Sequence, residues 1–174
     1  IYTSSAGIFD HDKGPVVTEE TPFKPRTPYE HTKLEGEQLV KTSGLPYTIL
    51  RPTLAYGPSK YWRGIIKLMK KNFPLIGSGD NMFHLVHVDD VARVIVAAMD
   101  DKYTNQEYNI AATESLTLAE TYDVVKKLMD IKKKTSHIPE WLAMGLAHIG
   151  KLMKSSLFIP EHIKRLTRNR HYDV

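Results

Sequence analysis

Residues 29–52 constrain the fold most, because they combine a helix, a stop signal and a buried strand in one short stretch. The segment YEHTKLEGEQLVKTSG has a helical pattern and ends at Gly44, which suits the left-handed conformation that often follows a helix. Pro46 then leads into YTILRP, whose β-branched and apolar residues are typical of a buried strand. A helix followed so closely by a buried strand predicts an α/β fold.

The same alternation continues along the rest of the chain. We expect strands at IYTSS, HLVHV and EYNIA, and helices at RGIIKLMKKN, VARVIVAAMD, TLAETYDVVKKLMD and HIKRL. Thr117 and Glu120 have the spacing of a capping box, and Asp89 or Asp90 is expected to cap the helix after HLVHV. The loop over residues 10–28 contains several prolines, which excludes a helix there.

Composition excludes several classes of protein. The absence of cysteine excludes disulfides and thiolate metal sites, and it favours a reducing, cytoplasmic location. No apolar run reaches the roughly 18 residues that a membrane span needs. The net charge of +4 is mild and no zinc-finger or RNA-binding pattern accompanies it, so we expect no nucleic-acid partner. His84 and His87 would point to opposite faces of a strand, which argues against a metal site.

Three tyrosines are followed four residues later by a lysine, a spacing that brings the two side chains together within a helix. The pairs are Tyr29/Lys33, Tyr56/Lys60 and Tyr122/Lys126. The second pair spans Gly57-Pro58 and cannot be helical, so we interpret it as incidental. The third lies in a predicted helix with no other catalytic group near it, which favours a surface or boundary role.

The pair Tyr29/Lys33 has different surroundings. A predicted strand ends at Ser5 before it, and another ends at Pro52 after it. Loops at the carboxyl ends of parallel strands form the ligand crevice of an open α/β sheet. A phenol is a poor base at neutral pH, but a nearby ammonium favours its phenolate. Ser5 could therefore hold a substrate oxygen while Tyr29 passes a proton as hydride moves to or from carbon.

Motifs in this order resemble the extended short-chain dehydrogenases/reductases, also called the NAD-dependent epimerase/dehydratase family. They are YTSSAGIFD, TPYEHTKLEGE, YTILRPTLAYGP, and HLVHVDDVARVIVAAM with YNIAATESLTLAE. The resemblance implies that Ser5, Tyr29 and Lys33 are catalytic. It also implies that Tyr29, Lys33 and the backbone of Pro52 contact the cofactor, NAD or NADP. Thr53 either approaches the cofactor or only packs.

The resemblance implies an α/β fold made of the C-terminal part of a Rossmann-like doubly wound sheet plus a small α/β substrate-binding lobe. Residues 1–58 would form the second half of the NAD(P)-binding domain, with the catalytic helix. Residues 59–174 would form mainly the substrate-binding lobe, interleaved with the last Rossmann elements. Homodimers are common in the family, so the resemblance also allows a homodimer.

The glycine loop that binds the cofactor phosphates in this family has no counterpart in the sequence. Neither G-x-x-G-x-x-G nor G-x-G-x-x-G occurs, although such a loop supplies the backbone amides for the pyrophosphate. The chain also begins at Ile1, without methionine and already inside a predicted strand. We therefore expect a fragment of a longer protein, which carries the catalytic residues without most of the cofactor site.

Two positions bear on the substrate. Sugar-nucleotide members of the family usually carry Asn where this chain has Leu54, and often Arg where it has Phe83. The replacements favour an apolar hydroxy or keto substrate, as in members resembling hydroxysteroid dehydrogenases or dihydroflavonol reductases. Two alternatives stay open: a nucleotide-sugar epimerase or dehydratase with phosphate contacts elsewhere, and a non-catalytic relative used for binding.

Overall fold

The computed structural model describes residues 1–152 and 160–174, along which short strands alternate with helices. The strands are β1 Tyr2–Thr3, β2 Thr48–Pro52, β3 Leu54–Tyr56, β4 Leu75–Ile76, β5 Met82–Phe83, β6 Leu85–His87, β7 Gln106–Ile110, β8 Leu116–Thr117 and β9 His137–Ile138. The helices are α1 Pro28–Thr42, α2 Lys60–Lys70, α3 Val88–Ala97, α4 Leu118–Leu128, α5 Glu140–Leu152 and α6 Pro160–Thr167. The predicted α/β class is confirmed.

A parallel sheet in the order β1–β2–β7 carries the residues of greatest interest. Thr3 pairs with Leu50, and Pro52 pairs with Ile110, so the carboxyl ends of the strands lie at one edge. The middle strand, β2, is buried along its whole length, as its apolar sequence predicts. A second parallel pair joins β3 to β6.

The chain divides into two compact units. Unit 1 contains the β1–β2–β7 sheet, β3, β6, α1 and α3, whereas unit 2 contains the other strands and helices. Unit 1 comprises Ile1–Gly57, His84–Ser115 and Arg170–Val174, and unit 2 comprises Pro58–Phe83 and Leu116–Asn169. Both units are discontinuous in sequence.

Each unit has its own apolar core. In unit 1, Leu50 and Ile110 of the sheet pack with Val91 of α3, while Phe9 belongs to a second cluster against which Leu34 of α1 packs. In unit 2, the core residues come from β4, α5 and α6, and they are Ile76, Ala143, Ala147 and Ile163. Within the described ranges, no helix is both long and apolar enough to cross a membrane.

The ends of several helices test the predicted signals. Gly44 has a φ of +74° just after α1, and Thr117 and Glu120 form the predicted capping box of α4. The predicted cap of α3 is wrong, because β6 ends at His87 and the helix begins at the next residue. The His87 ring accepts a hydrogen bond from the Asp89 N–H at 3.2 Å, which places Asp89 in the first turn instead.

Candidate active site

Ser5 lies just beyond the carboxyl end of β1. Ser4 continues the parallel pairing, since its N–H donates to the Leu50 carbonyl at 2.7 Å. Ser5 then caps a short 3₁₀ turn over Ala6–Ile8, and its Oγ accepts a hydrogen bond from the Gly7 N–H at 3.2 Å. The serine hydroxyl is therefore held at the edge of the sheet where the strands end.

Tyr29 lies in the first turn of α1, as the sequence predicts. A capping box starts this helix: the Glu30 N–H donates to Thr27 Oγ1 at 3.2 Å, and the Thr27 N–H donates to Glu30 Oε2 at 3.0 Å. Pro28 occupies the first helical position, where its missing N–H costs nothing. The Tyr29 side chain is 56% exposed and faces solvent from a firmly anchored turn.

The Ser5 turn and the first turn of α1 meet at Gly7. A Cβ placed on Gly7 would lie 3.3 Å from Ser5 Oγ and 3.4 Å from Glu30 Oε1. Both side chains therefore border the same glycine, and Glu30 directly follows Tyr29 in the chain. The fold thus brings the serine predicted from one motif next to the helical turn predicted from another.

Lys33 connects α1 to the end of β1. Its Nζ donates to the Thr3 carbonyl at 2.9 Å and lies 5.8 Å from the centre of the Tyr29 ring. The Tyr2 hydroxyl donates to the Lys33 carbonyl at 3.3 Å. Burial raises the pKa of Tyr2, and the Glu37 carboxylate adds to this effect, so Tyr2 stays a neutral donor. Lys33 is the cation beside Tyr29, one turn along the same helix face.

Pro52 and Thr53 lie at the same carboxyl edge, at the end of β2. Pro52 is buried, and the Thr53 N–H donates to the Ile110 carbonyl at 2.9 Å. Thr53 Oγ1 is buried and has no hydrogen-bond partner among the described residues. A buried hydroxyl usually has a hydrogen-bond partner, so a bound ligand is a candidate partner for Thr53 Oγ1.

Two buried carboxylates next to these residues were not predicted. Glu30 is 5% exposed and anchors the start of α1, while Glu37 is 1% exposed and pairs with Arg51. The sequence does indicate that Arg51 has an acidic partner such as Glu37, because an arginine inside a buried strand needs a counter-charge. Glu37 follows Lys33 by one helical turn and so faces the same side.

The other candidates lie elsewhere. His84 is buried, its Nε2 lies 2.6 Å from the Ala112 carbonyl oxygen, and no three potential ligands among the described residues are placed to hold a metal ion. Tyr56 ends β3 and packs edge-on against the His87 ring. Leu54 is half-buried in unit 1, whereas Phe83 is buried inside unit 2.

Comparison with known proteins identifies relatives of this chain. A protein of Sinorhizobium fredii, described only as y4nG, is 30% identical over 100% of this chain and 46% of its own length. The 3beta-hydroxysteroid-dehydrogenase/decarboxylase isoform 2 of Arabidopsis thaliana is 26% identical over 99% of this chain and 36% of its own length. The chain thus spans less than half of these relatives.

Solved structures show the same fold. UDP-glucuronic acid 4-epimerase from Bacillus cereus, in complex with NAD, matches with a TM-score of 0.67 and 25% identity over 79% of this chain and 48% of the epimerase. The likeness confirms a Rossmann-like α/β fold. The sequence pattern of the NAD-dependent epimerase/dehydratase family matches residues 1–111, a range that includes Ser5, Tyr29, Lys33 and Pro52. The chain therefore belongs to the NAD-dependent epimerase/dehydratase family.

Proposed function

We propose that the chain is the catalytic part of an NAD(P)-dependent oxidoreductase that moves hydride to or from a hydroxy or keto carbon. The observation that carries this proposal is the convergence of the Ser5 turn and the first turn of α1 on Gly7, with the Lys33 ammonium beside Tyr29. A hydroxyl, a phenol and a cation are then available at the carboxyl edge of a parallel sheet, where α/β folds bind ligands.

Each residue has a role that its contacts permit. Ser5 Oγ accepts from the Gly7 N–H, which leaves its own O–H to donate to a substrate oxygen. Tyr29 exchanges a proton with that oxygen from a solvent-facing position. Lys33 donates to the Thr3 carbonyl, which fixes its ammonium beside the phenol and leaves two N–H bonds for the cofactor.

The residues present fit the nicotinamide end of NAD or NADP. Thr53 Oγ1 is a buried hydroxyl without a partner at the carboxyl end of β2, and Pro52 precedes it. The bound cofactor would supply or accept the hydride. Residues outside this sequence would hold its phosphates, because the sequence contains no glycine-rich phosphate loop.

An apolar hydroxy or keto compound is the substrate class we propose. Leu54 offers a half-buried apolar side chain just after Thr53, and the plant hydroxysteroid dehydrogenase is similar over nearly the whole chain. A nucleotide sugar is the second candidate, supported by the similarity to the UDP-glucuronic acid epimerase. In either case residues 1–58 would belong to the cofactor-binding half, and residues 59–174 would form mainly the substrate-binding lobe.

The decisive experiment compares tyrosine variants in the full-length protein, with NAD(H) or NADP(H) and both substrate classes. Tyr29→Phe removes the phenol that exchanges the proton, so kcat is expected to fall by about 10² to 10⁴. Tyr122→Phe is the matched control, because it removes a phenol from the other helical Tyr-x-x-x-Lys pair.

Full activity in Tyr29→Phe would contradict the assigned proton donor. Cofactor binding without turnover of any hydroxy or keto compound would favour the non-catalytic alternative. Turnover of UDP-sugars but not of apolar alcohols would replace the proposed substrate class with the second one. Sedimentation of the same protein would test the predicted homodimer.

A further inference from the structure

The Arg51 guanidinium is completely buried in unit 1 and binds two carboxylates. Nε donates to Glu37 Oε1 at 2.8 Å, and Nη2 donates to Glu37 Oε2 at 2.7 Å. Nη2 also donates to the Glu107 carboxylate. The exposed fractions of Arg51 and Glu37 are 0% and 1%. Two parallel bonds between planar groups fix the orientation of the pair as well as its distance.

The same guanidinium contacts the segment that carries the serine. Its Cζ lies 5.2 Å from the ring centre of Phe9 and 5.1 Å from that of Phe23. Phe9 directly follows the 3₁₀ turn that Ser5 caps. Arg51 therefore touches both the Ser5 segment and the helix that carries Tyr29.

Glu37 continues the helix face that carries the candidate catalytic residues. Tyr29, Lys33 and Glu37 stand four residues apart, so they share one side of α1. A bond that fixes the rotation of Glu37 about the helix axis also fixes the rotation of Lys33 and Tyr29.

A gain in folding stability does not by itself explain why Arg51 and Glu37 form a buried ion pair. Removing two charges from water costs several kcal/mol, and apolar replacements of such pairs are often neutral or stabilising. Burial alone would lower the pKa of Arg51, but the Glu37 and Glu107 carboxylates outweigh it and raise that pKa, so the guanidinium stays charged. The two parallel hydrogen bonds are directional, whereas apolar contacts of the same size are not.

We propose that Arg51 is a positioning residue, which holds α1 through Glu37 in the rotation that places Lys33 at the end of β1 with Tyr29 beside it. This inference rests on the proposed function for its kinetic consequence. Its structural content, the fixed rotation of α1, does not depend on turnover.

The test replaces the pair in the full-length protein by apolar side chains of similar size, as Arg51→Met with Glu37→Leu. Glu107 keeps an ion-pair partner in Lys41, so the double variant leaves that carboxylate paired. The expected result is a cooperative thermal transition with kcat lowered about ten- to a hundredfold, because small misplacements of reacting groups are costly. KM and the cofactor Kd are expected to stay within about threefold.

Two single variants keep the proposal falsifiable if the double variant does not fold. Arg51→Lys keeps the charge but loses the planar fork, so it should also lower kcat at unchanged KM. Arg93→Lys is the matched control, since Arg93 forms an exposed ion pair with Asp90. Wild-type kcat in a folded Arg51→Lys or double variant would overturn the proposal, and so would an equal loss of kcat in Arg93→Lys.

Failure of the proposed function would look different, because the wild-type protein itself would then show no turnover. Amide hydrogen exchange along α1 decides the positioning claim in that case. Faster exchange in residues 29–33 of Arg51→Lys, with wild-type exchange in α4, would support the fixed rotation. Unchanged exchange in residues 29–33 would overturn it.

Discussion

Helices α1 and α4 carry the same sequence pattern in different surroundings. Each begins with a threonine–glutamate capping box, Thr27 with Glu30 in α1 and Thr117 with Glu120 in α4. Each then carries a tyrosine followed four residues later by a lysine. Local sequence therefore gives no basis for assigning chemistry to one helix and structure to the other.

The partners of the two pairs differ. In α4 the Tyr122 hydroxyl donates to the Phe73 carbonyl, and Lys126, only 8% exposed, donates to the Lys133 carbonyl and to Thr135 Oγ1. Burial also raises the pKa of Tyr122, which keeps it a neutral donor. The Tyr29 hydroxyl makes no hydrogen bond within residues 1–152 and 160–174.

The difference shows what separates a structural pair from a candidate catalytic one. The polar groups of the α4 pair form hydrogen bonds within the protein, so removing either side chain should lower the free energy of unfolding. In α1 the phenol and part of the ammonium's donor capacity are unused, so a change there should appear in binding or turnover.

Removing the two lysines should give the largest contrast. Lys33→Met is expected to lower kcat by about 10², because the phenol loses the cation beside it. Lys126→Met should leave kcat unchanged but cost about 1–3 kcal/mol of unfolding free energy, since two hydrogen bonds from a charged donor are lost. Urea denaturation and steady-state kinetics measure the two effects. Equal losses of kcat in the two variants would contradict the assignment of a catalytic role to the α1 pair and a structural role to the α4 pair.

Removing the two capping threonines should give a smaller contrast. Thr27→Ala and Thr117→Ala are each expected to cost about 0.5–2 kcal/mol of unfolding free energy, because each leaves one N–H at a helix start without its partner. Only Thr27→Ala should also lower kcat, since it loosens the turn that carries Tyr29. Matching kcat values in the two variants, both correctly folded, would show that the first turn of α1 need not be fixed.

Most of the fold could be predicted from the sequence, because it rests on local signals. The apolar run of β2 and the glycine after α1 mark their elements without any distant contact. The cap of α3 was mispredicted, because His87 ends a strand and starts a helix at once. The division into two discontinuous units depends on pairings between distant segments, which single-sequence patterns do not contain.

The candidate site was predictable only in part, for the same reason. The carboxyl ends of β1 and β2 had to meet if the sheet is parallel, so Ser5 and Pro52 could be placed at one edge. Gly7 carried no signal, because its importance comes from a close approach between two segments. Glu30 has the spacing of a capping box with Thr27, which indicates a helix start but not a site. Arg51 and Glu37 both belong to motifs, but they lie in different elements, so local sequence does not show that they pair.

Acid should destabilise unit 1 by a small amount through protonation of His84. Its Nδ1 accepts from the Tyr172 N–H at 3.2 Å, and its Nε2 contacts the Ala112 carbonyl oxygen, an arrangement that requires a neutral ring. Burial lowers the pKa of His84, the Ala112 carbonyl opposes this shift, and His171 adds to it.

Because the unfolded chain takes up the proton first, this contribution to stability is complete above about pH 6.5 and is lost as the pH falls below it. Urea denaturation at about pH 7.5 and pH 5.5 should show a larger loss in the wild type than in His84→Gln. His137→Gln, at an exposed histidine of unit 2, should keep the wild-type pH dependence. Hydrogen-exchange protection, after correction for the slower intrinsic exchange at low pH, should then fall in α1 before it falls in α4. The reverse order would place the acid-sensitive contact outside unit 1.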